Sequence, residues 1–285
     1  SDHESTRHTH KEALEVEFGE DTLKKVPVIW EPTNTAKVLN TNTGIIGTMG
    51  TGKTQFTKSL IAQLQCNQHC NVDGMPIGIL IFDYKGDYIK EEFTQPTAAK
   101  VLSPYHLPFN PLALFGEKPL LPVHTTNLFK TTLAKAFGLG TVQQSTLSRI
   151  VLEAYERAGI HRANKATWSN PAPTIQDVWE VFISEEDTKQ DSLYASLQKL
   201  IDFEIFEPLS ENTKTLYDFV DGITVLNLSG YDPDLQNLIV AIILDIFYTQ
   251  MHIKGSSKLD GDYRQITKMV LVDEADNFMS QDFES

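Results

Sequence analysis

The stretch GTMGTGKT, Gly47 to Thr54, decides how the rest of the chain is read. It fits G-x-x-x-x-G-K-[ST], a loop whose backbone N–H groups cradle nucleotide phosphates. Gly47, Gly50 and Gly52 permit a turn tight enough for several N–H groups to face one anion. The apolar Gly44–Ile46 precedes the loop as a strand end, and Thr54 to Gln65 follows as a helix with Phe56, Leu60, Ile61 and Leu64 on one face. That helix would present its positive end to the same phosphates. The expected nucleotide-binding set is Gly47, Thr48, Met49, Gly50, Thr51, Gly52, Lys53 and Thr54. Lys53 would bridge the β- and γ-phosphates of ATP, and Thr54 would place its hydroxyl on Mg²⁺.

A second run, MVLVDEADNF, reads as a strand from Met269 to Val272 that ends in Asp273 and Glu274. In open α/β sheets that carboxyl end is where ligands bind. Asp273 would hold Mg²⁺ through its water shell, and Glu274 would polarise the attacking water. An apolar strand ending in acids is common; its pairing with a phosphate loop gives it meaning. About 220 residues separate the two sites, far more than a bare nucleotide-binding core needs.

A third piece, IGILIFDYKGDY (Ile77 to Tyr88), is a continuous apolar run ending in Asp83. A run without alternation predicts a strand covered on both faces, as in a parallel sheet. Asp83 and Lys85 fall at the same sheet edge as the phosphate loop. They could meet Mg²⁺, a phosphate or a neighbouring subunit, or simply belong to a solvated turn around Gly86. GITVLNLSG (Gly222 to Gly230) predicts another strand, and Asp232–Pro233 the start of a long, nearly all-apolar helix.

Between the early and late strands the texture is helical. Leu147, Ile150, Val151, Ala154, Tyr155 and Ala158 recur at helical spacing. Thr174 with Asp177 three residues on approximates a capping box. The expected organisation is a lead-in over 1–26, an ATPase core over 27–118 and 216–285, and a helical insertion over 119–215. Two extended pieces, ALEVEF and VPVIW, are expected to lead into the core.

Composition narrows the function. The chain has 285 residues, 41% apolar and 22% charged, with a net charge of −14. A protein that coats duplex DNA would be basic. The acidic balance excludes that class, but not a motor touching DNA through a few basic loops. No stretch reaches the ~18 uninterrupted apolar residues of a membrane span. With a polar N-terminus lacking Met, this points to an internal start, a cytoplasmic setting and no membrane partner. Cys66 and Cys70 flank His69, but structural zinc wants four ligands and no second cluster is visible.

The ordered pieces IIGTMGTGKT, ILIFDYKGDY, LPFNPL (Leu107 to Leu112), the helical stretch, ITVLNLSG with its long helix, and VLVDEA resemble the FtsK–HerA superfamily of ring-forming, DNA-pumping ATPases. FDYKGDY is similar to the D-x-x-G-[DE]-[YF] pattern after the second strand of HerA proteins. The likeness covers about residues 27 to 278. Within the superfamily, GTMGTGKTQFTKSL and IFDYKGDYI look most like the ATPase region of phosphorothioation-dependent restriction systems. The resemblance implies a RecA-like P-loop core with a mainly parallel sheet and an all-helical insertion. It also implies a homo-oligomer, hexameric in the family, that uses ATP and Mg²⁺ to move or open duplex DNA beside other restriction subunits. Lys53, Thr54, Asp273 and Glu274 map onto the family's catalytic positions. A polar sensor strand and an arginine finger complete such sites; the chain stops at Ser285, so the terminal sheet strands are expected to lie outside it. Spacing selects none of Arg149, Arg157, Arg162 or Arg264 as the finger. The rival readings are a secretion or conjugation ATPase, and a nucleotide-binding switch that assembles without turnover.

Overall fold

An apolar strand with no alternation needs cover on both faces, and the chain supplies that cover with helices. The computed structural model describes residues 16–20, 27–30, 44–49, 54–254 and 258–273. β1 (Val16–Glu20) and β2 (Pro27–Trp30) form an antiparallel pair outside the main sheet. β3 (Gly44–Met49) leads to α1 (Thr54–Asn67), then β4 (Gly78–Asp83), α2 (Glu91–Thr97) and β5 (Lys100–Leu102). Next come α3 (Leu121–Phe137), α4 (Thr141–Arg157), α5 (Ile175–Ile183), α6 (Ser192–Asp202) and the short α7 (Leu216–Phe219). β6 (Ile223–Asn227) feeds α8 (Pro233–Lys254), a small β7 (Leu259–Asp260) and β8 (Tyr263–Arg264) hairpin, and β9 (Lys268–Asp273). Five of these strands make one sheet in the order β3-β9-β4-β6-β5, with every pairing parallel.

Side chains alternate across a strand, so each sheet face collects its own set. Ile79, Ile81, Ile223, Val225, Met269 and Leu271 face α1 and α2, where they meet Leu60, Ile61, Leu64 and Phe93. Leu80, Phe82, Leu226, Val270 and Val272 face the opposite way, into the larger core. That core also takes Leu133 of α3, Leu147 and Ile150 of α4, Val178 of α5, Leu197 of α6 and much of α8. The helices between β5 and β6 thus share one core with the sheet. Each fully buried Leu or Ile there stabilises the fold by about 1.5–3 kcal/mol.

The helix signals in the sequence act as anticipated. Asp232 Oδ1 accepts from Leu235 N–H at 3.0 Å, capping α8 ahead of Pro233. Asp177 accepts from Thr174 N–H at 2.8 Å, and the Thr174 hydroxyl reaches Pro208 O at 2.9 Å, tying the start of α5 to a distant loop. α8 is apolar around its circumference because Leu238, Ile239, Val240, Ile242, Ile243 and Phe247 are all buried. By length and composition alone it could cross a membrane, yet 61% of its apolar window is inside the fold. His69 Nδ1 lies 3.1 Å from Cys66 O, and among the described residues no three metal-ligating side chains converge.

Central strands also tolerate little volume at close approaches. A Cβ on Gly78, where β4 enters the sheet between β6 and β9, would stand 2.1 Å from Val220 O. A backbone carbonyl cannot yield as a side chain would. Gly78→Ala is expected to lower stability by roughly 1–3 kcal/mol or more, read as a lower urea midpoint with unchanged slope. An unchanged midpoint would show that the strand shifts freely.

Candidate active site

Parallel strands share one polarity, so their C-terminal residues gather at one edge. β3 pairs Met49 with Asp273 of β9. β4 pairs Phe82 with Val272, which brings Asp83 level with Asp273, and Asp83 itself pairs with Asn227 of β6. The edge therefore reads Met49, Asp273, Asp83, Asn227 across four strands. α1 starts at Thr54, shortly after β3 ends at Met49. Gly47, Thr48 and Met49 are the last three residues of β3. Gly50, Thr51, Gly52 and Lys53 lie outside the described residues, as does Glu274, which follows Asp273 directly in sequence.

Asp273 is buried, 5% exposed. Asp83 is buried as well, and its carboxylate points into its own loop. Oδ1 accepts from Gly86 N–H at 2.9 Å and Asp87 N–H at 3.0 Å; Oδ2 accepts from Tyr88 N–H at 2.9 Å. Three of a carboxylate's roughly four acceptor sites are thus committed. Burial pushes the Asp83 carboxyl above the ordinary carboxylate range, and the three N–H bonds pull against that rise. Asp83 is the anchor of the 84–88 turn, while Lys85 is exposed. Gly86 sits at φ +83°, a backbone conformation that favours glycine, and a Cβ there would meet Ser229 Oγ at 3.3 Å.

The turn is tied to its surroundings. Leu228 N–H donates to Asp83 O at 2.9 Å, and the Tyr84 hydroxyl donates to Asn237 Oδ1 at 3.1 Å. Gln236 Nε2 donates to both Tyr84 O and Leu228 O. The turn after β4 and the β6–α8 connection are therefore one hydrogen-bonded unit.

The turn ends in Tyr88, which is fully buried. Its ring meets Phe93 edge-on at 5.5 Å between centroids, and Lys58 Nζ stands 5.9 Å from its centre. Its hydroxyl lies beside Thr57 of α1 and Asp273 of β9 without an ordinary hydrogen bond to either. Burial first, and the Asp273 charge next, hold the phenol well above its ordinary range. Sequence reasoning singled out Asp83 and Lys85 in this loop and passed over Tyr88 and Thr57. The final aromatic of the D-x-x-G-[DE]-[YF] pattern was the available signal.

A family model for the central domain of the helicase HerA matches residues 22–247. The chain belongs to this HerA central-domain family. The matched span holds the phosphate loop, the Asp83 turn, β6 and most of α8; Asp273 follows beyond it. Among solved structures, VirB4 of Thermoanaerobacter pseudethanolicus matches with a TM-score of 0.54 at 13% identity, covering 82% of this chain and 83% of that one. The likeness is one of fold and agrees with a RecA-like P-loop core. The bacterial conjugative coupling protein TrwBdeltaN70 is a weaker match, with a TM-score of 0.39 at 9% identity over 84% of this chain and 63% of that one. No functionally curated protein matches the chain.

In this HerA-family domain the donor set fits a magnesium nucleotide. Hard oxygen ligands suit Mg²⁺. A hydroxyl residue opens α1, the Asp273 carboxylate lies level with the end of β3, and the buried Tyr88 hydroxyl stands beside that carboxylate.

Asp83→Asn replaces an acceptor oxygen with an N–H₂ group facing backbone donors. It should cost about 1–3 kcal/mol, the penalty for a buried donor left unpaired. Urea unfolding of the variant checks this; wild-type stability would show that the loop holds without its anchor.

Proposed function

We propose that the domain hydrolyses ATP and that hydrolysis drives a motor acting on duplex DNA. The observation that carries this reading is the alignment of Asp273 with the end of the phosphate-loop strand, in a chain of the HerA family. The loop N–H groups and the N-terminus of α1 would bind the phosphates. The Lys53 ammonium would pair with β- and γ-phosphate oxygens. The Thr54 hydroxyl and the Asp273 carboxylate would hold Mg²⁺, which when bound neutralises charge developing on the transferring phosphoryl group. Glu274 would accept a hydrogen bond from the attacking water and orient it in line. Asp83 would serve by fixing the loop, since its oxygens are already engaged.

As a finer assignment, the domain works in the cytoplasm as a homo-oligomer, a hexamer by family resemblance, like the ATPase DptH of phosphorothioation-dependent restriction, beside partner subunits that cut DNA. The support is the sequence likeness of the phosphate loop and IFDYKGDYI. A secretion or conjugation ATPase of the same superfamily is the alternative reading, since such ATPases share this order of parts.

Phosphate release from Mg-ATP, with and without duplex DNA, tests the proposal. Turnover should rise with DNA, and more with unmodified than with phosphorothioated duplex in the presence of the partner subunits. Glu274→Gln should retain ATP and lose turnover by about a hundredfold or more, as for removal of a general base. Unchanged turnover in that variant would overturn the role of Glu274. Turnover indifferent to DNA would overturn the motor.

A further inference from the structure

The Tyr88 hydroxyl is the feature of the site that its chemistry leaves unused. It is completely buried and lacks an ordinary hydrogen bond. Native proteins rarely leave a buried donor unmade without a reason. The side chain is also held. Its own N–H is bound by Asp83 Oδ2, Phe93 abuts its ring edge-on, and the Lys58 ammonium stands near the ring while pairing with Glu92 at 3.4 Å. The hydroxyl therefore stays in place beside Thr57 and Asp273. Of those two neighbours only Asp273 is a carboxylate, and a charged acceptor makes the stronger bond.

We propose that Tyr88 is a positioning residue for Asp273. With the site loaded, its hydroxyl donates to one carboxylate oxygen of Asp273 and leaves the other directed at the water shell of the metal. Groups of this kind orient metal-binding carboxylates and set metal affinity without touching the metal. The Asp83 turn is then the rigid mount that delivers Tyr88 to the edge. This inference rests on Asp273 being the metal-binding carboxylate.

The experiment is a Mg²⁺ titration of fluorescent ATP-analogue binding to the full-length protein, comparing wild type, Tyr88→Phe, Asp273→Asn and the double variant. Phenylalanine keeps the ring and its packing and removes only the hydroxyl, so folding is retained; thermal unfolding verifies this. Tyr88→Phe should raise the Mg²⁺ half-saturation about tenfold, within the range for outer-shell partners. It should leave binding in excess EDTA unchanged. In the Asp273→Asn background it should add nothing, because the carboxylate it serves is gone. A half-saturation within twofold of wild type, or an equal shift in both backgrounds, would overturn the role of Tyr88. If Asp273→Asn itself leaves the Mg²⁺ dependence intact, the metal-binding reading of Asp273 fails instead.

Discussion

The parallel pairing of β9 between β3 and β4 is the constraint on which the site depends. It takes a strand near residue 270 and inserts it between strands that end at Met49 and Asp83. Val270 and Val272 are drawn into the larger core while Met269 and Leu271 are drawn against α1 and α2. Both faces therefore fix the register, and a slip of one residue would reverse every one of those contacts. Asp273 reaches the phosphate-loop edge because its four apolar predecessors have no other place to go.

The same edge divides labour among its polar groups. Asp83 and Asp273 stand level, both buried and both acidic, yet they are used differently. Asp83 turns inward and gathers three N–H groups of the following turn. That turn is joined through Tyr84, Asn237 and Gln236 to the start of α8. Asp273 lies beside the Tyr88 hydroxyl. The three N–H bonds commit Asp83 to its own turn, which separates its role from that of Asp273.

Much of this was legible in the sequence. The unalternating run at Ile79–Phe82 predicted a strand covered on both faces, the run at Met269–Val272 predicted a strand ending in acids, and the helix starts at Thr174 and Asp232 carried their own caps. Other features were not legible, because they depend on partners distant in the chain. An Asp at a strand end looks the same whether it meets a ligand or caps its own turn; only the path of the next five residues separates the two. Helical spacing in α4 showed that it buries a face, but not that this face shares a core with Leu80, Phe82 and Val272. The short β5, with its exposed Val101, and the β7–β8 hairpin carry too few apolar residues to declare themselves. The two N-terminal pieces form strands, but they pair with each other and not with the main sheet.

Calorimetric titration of Mg-ATP into wild-type protein and Lys53→Ala tests most directly whether this sheet edge is a nucleotide site. The account predicts saturable binding at one site per chain in the wild type, and affinity weakened by an order of magnitude or more in the variant, since the P-loop lysine is a point charge on the phosphates. Equal binding by both proteins would place the nucleotide elsewhere and contradict the assignment of the edge formed by β3, β9 and β4.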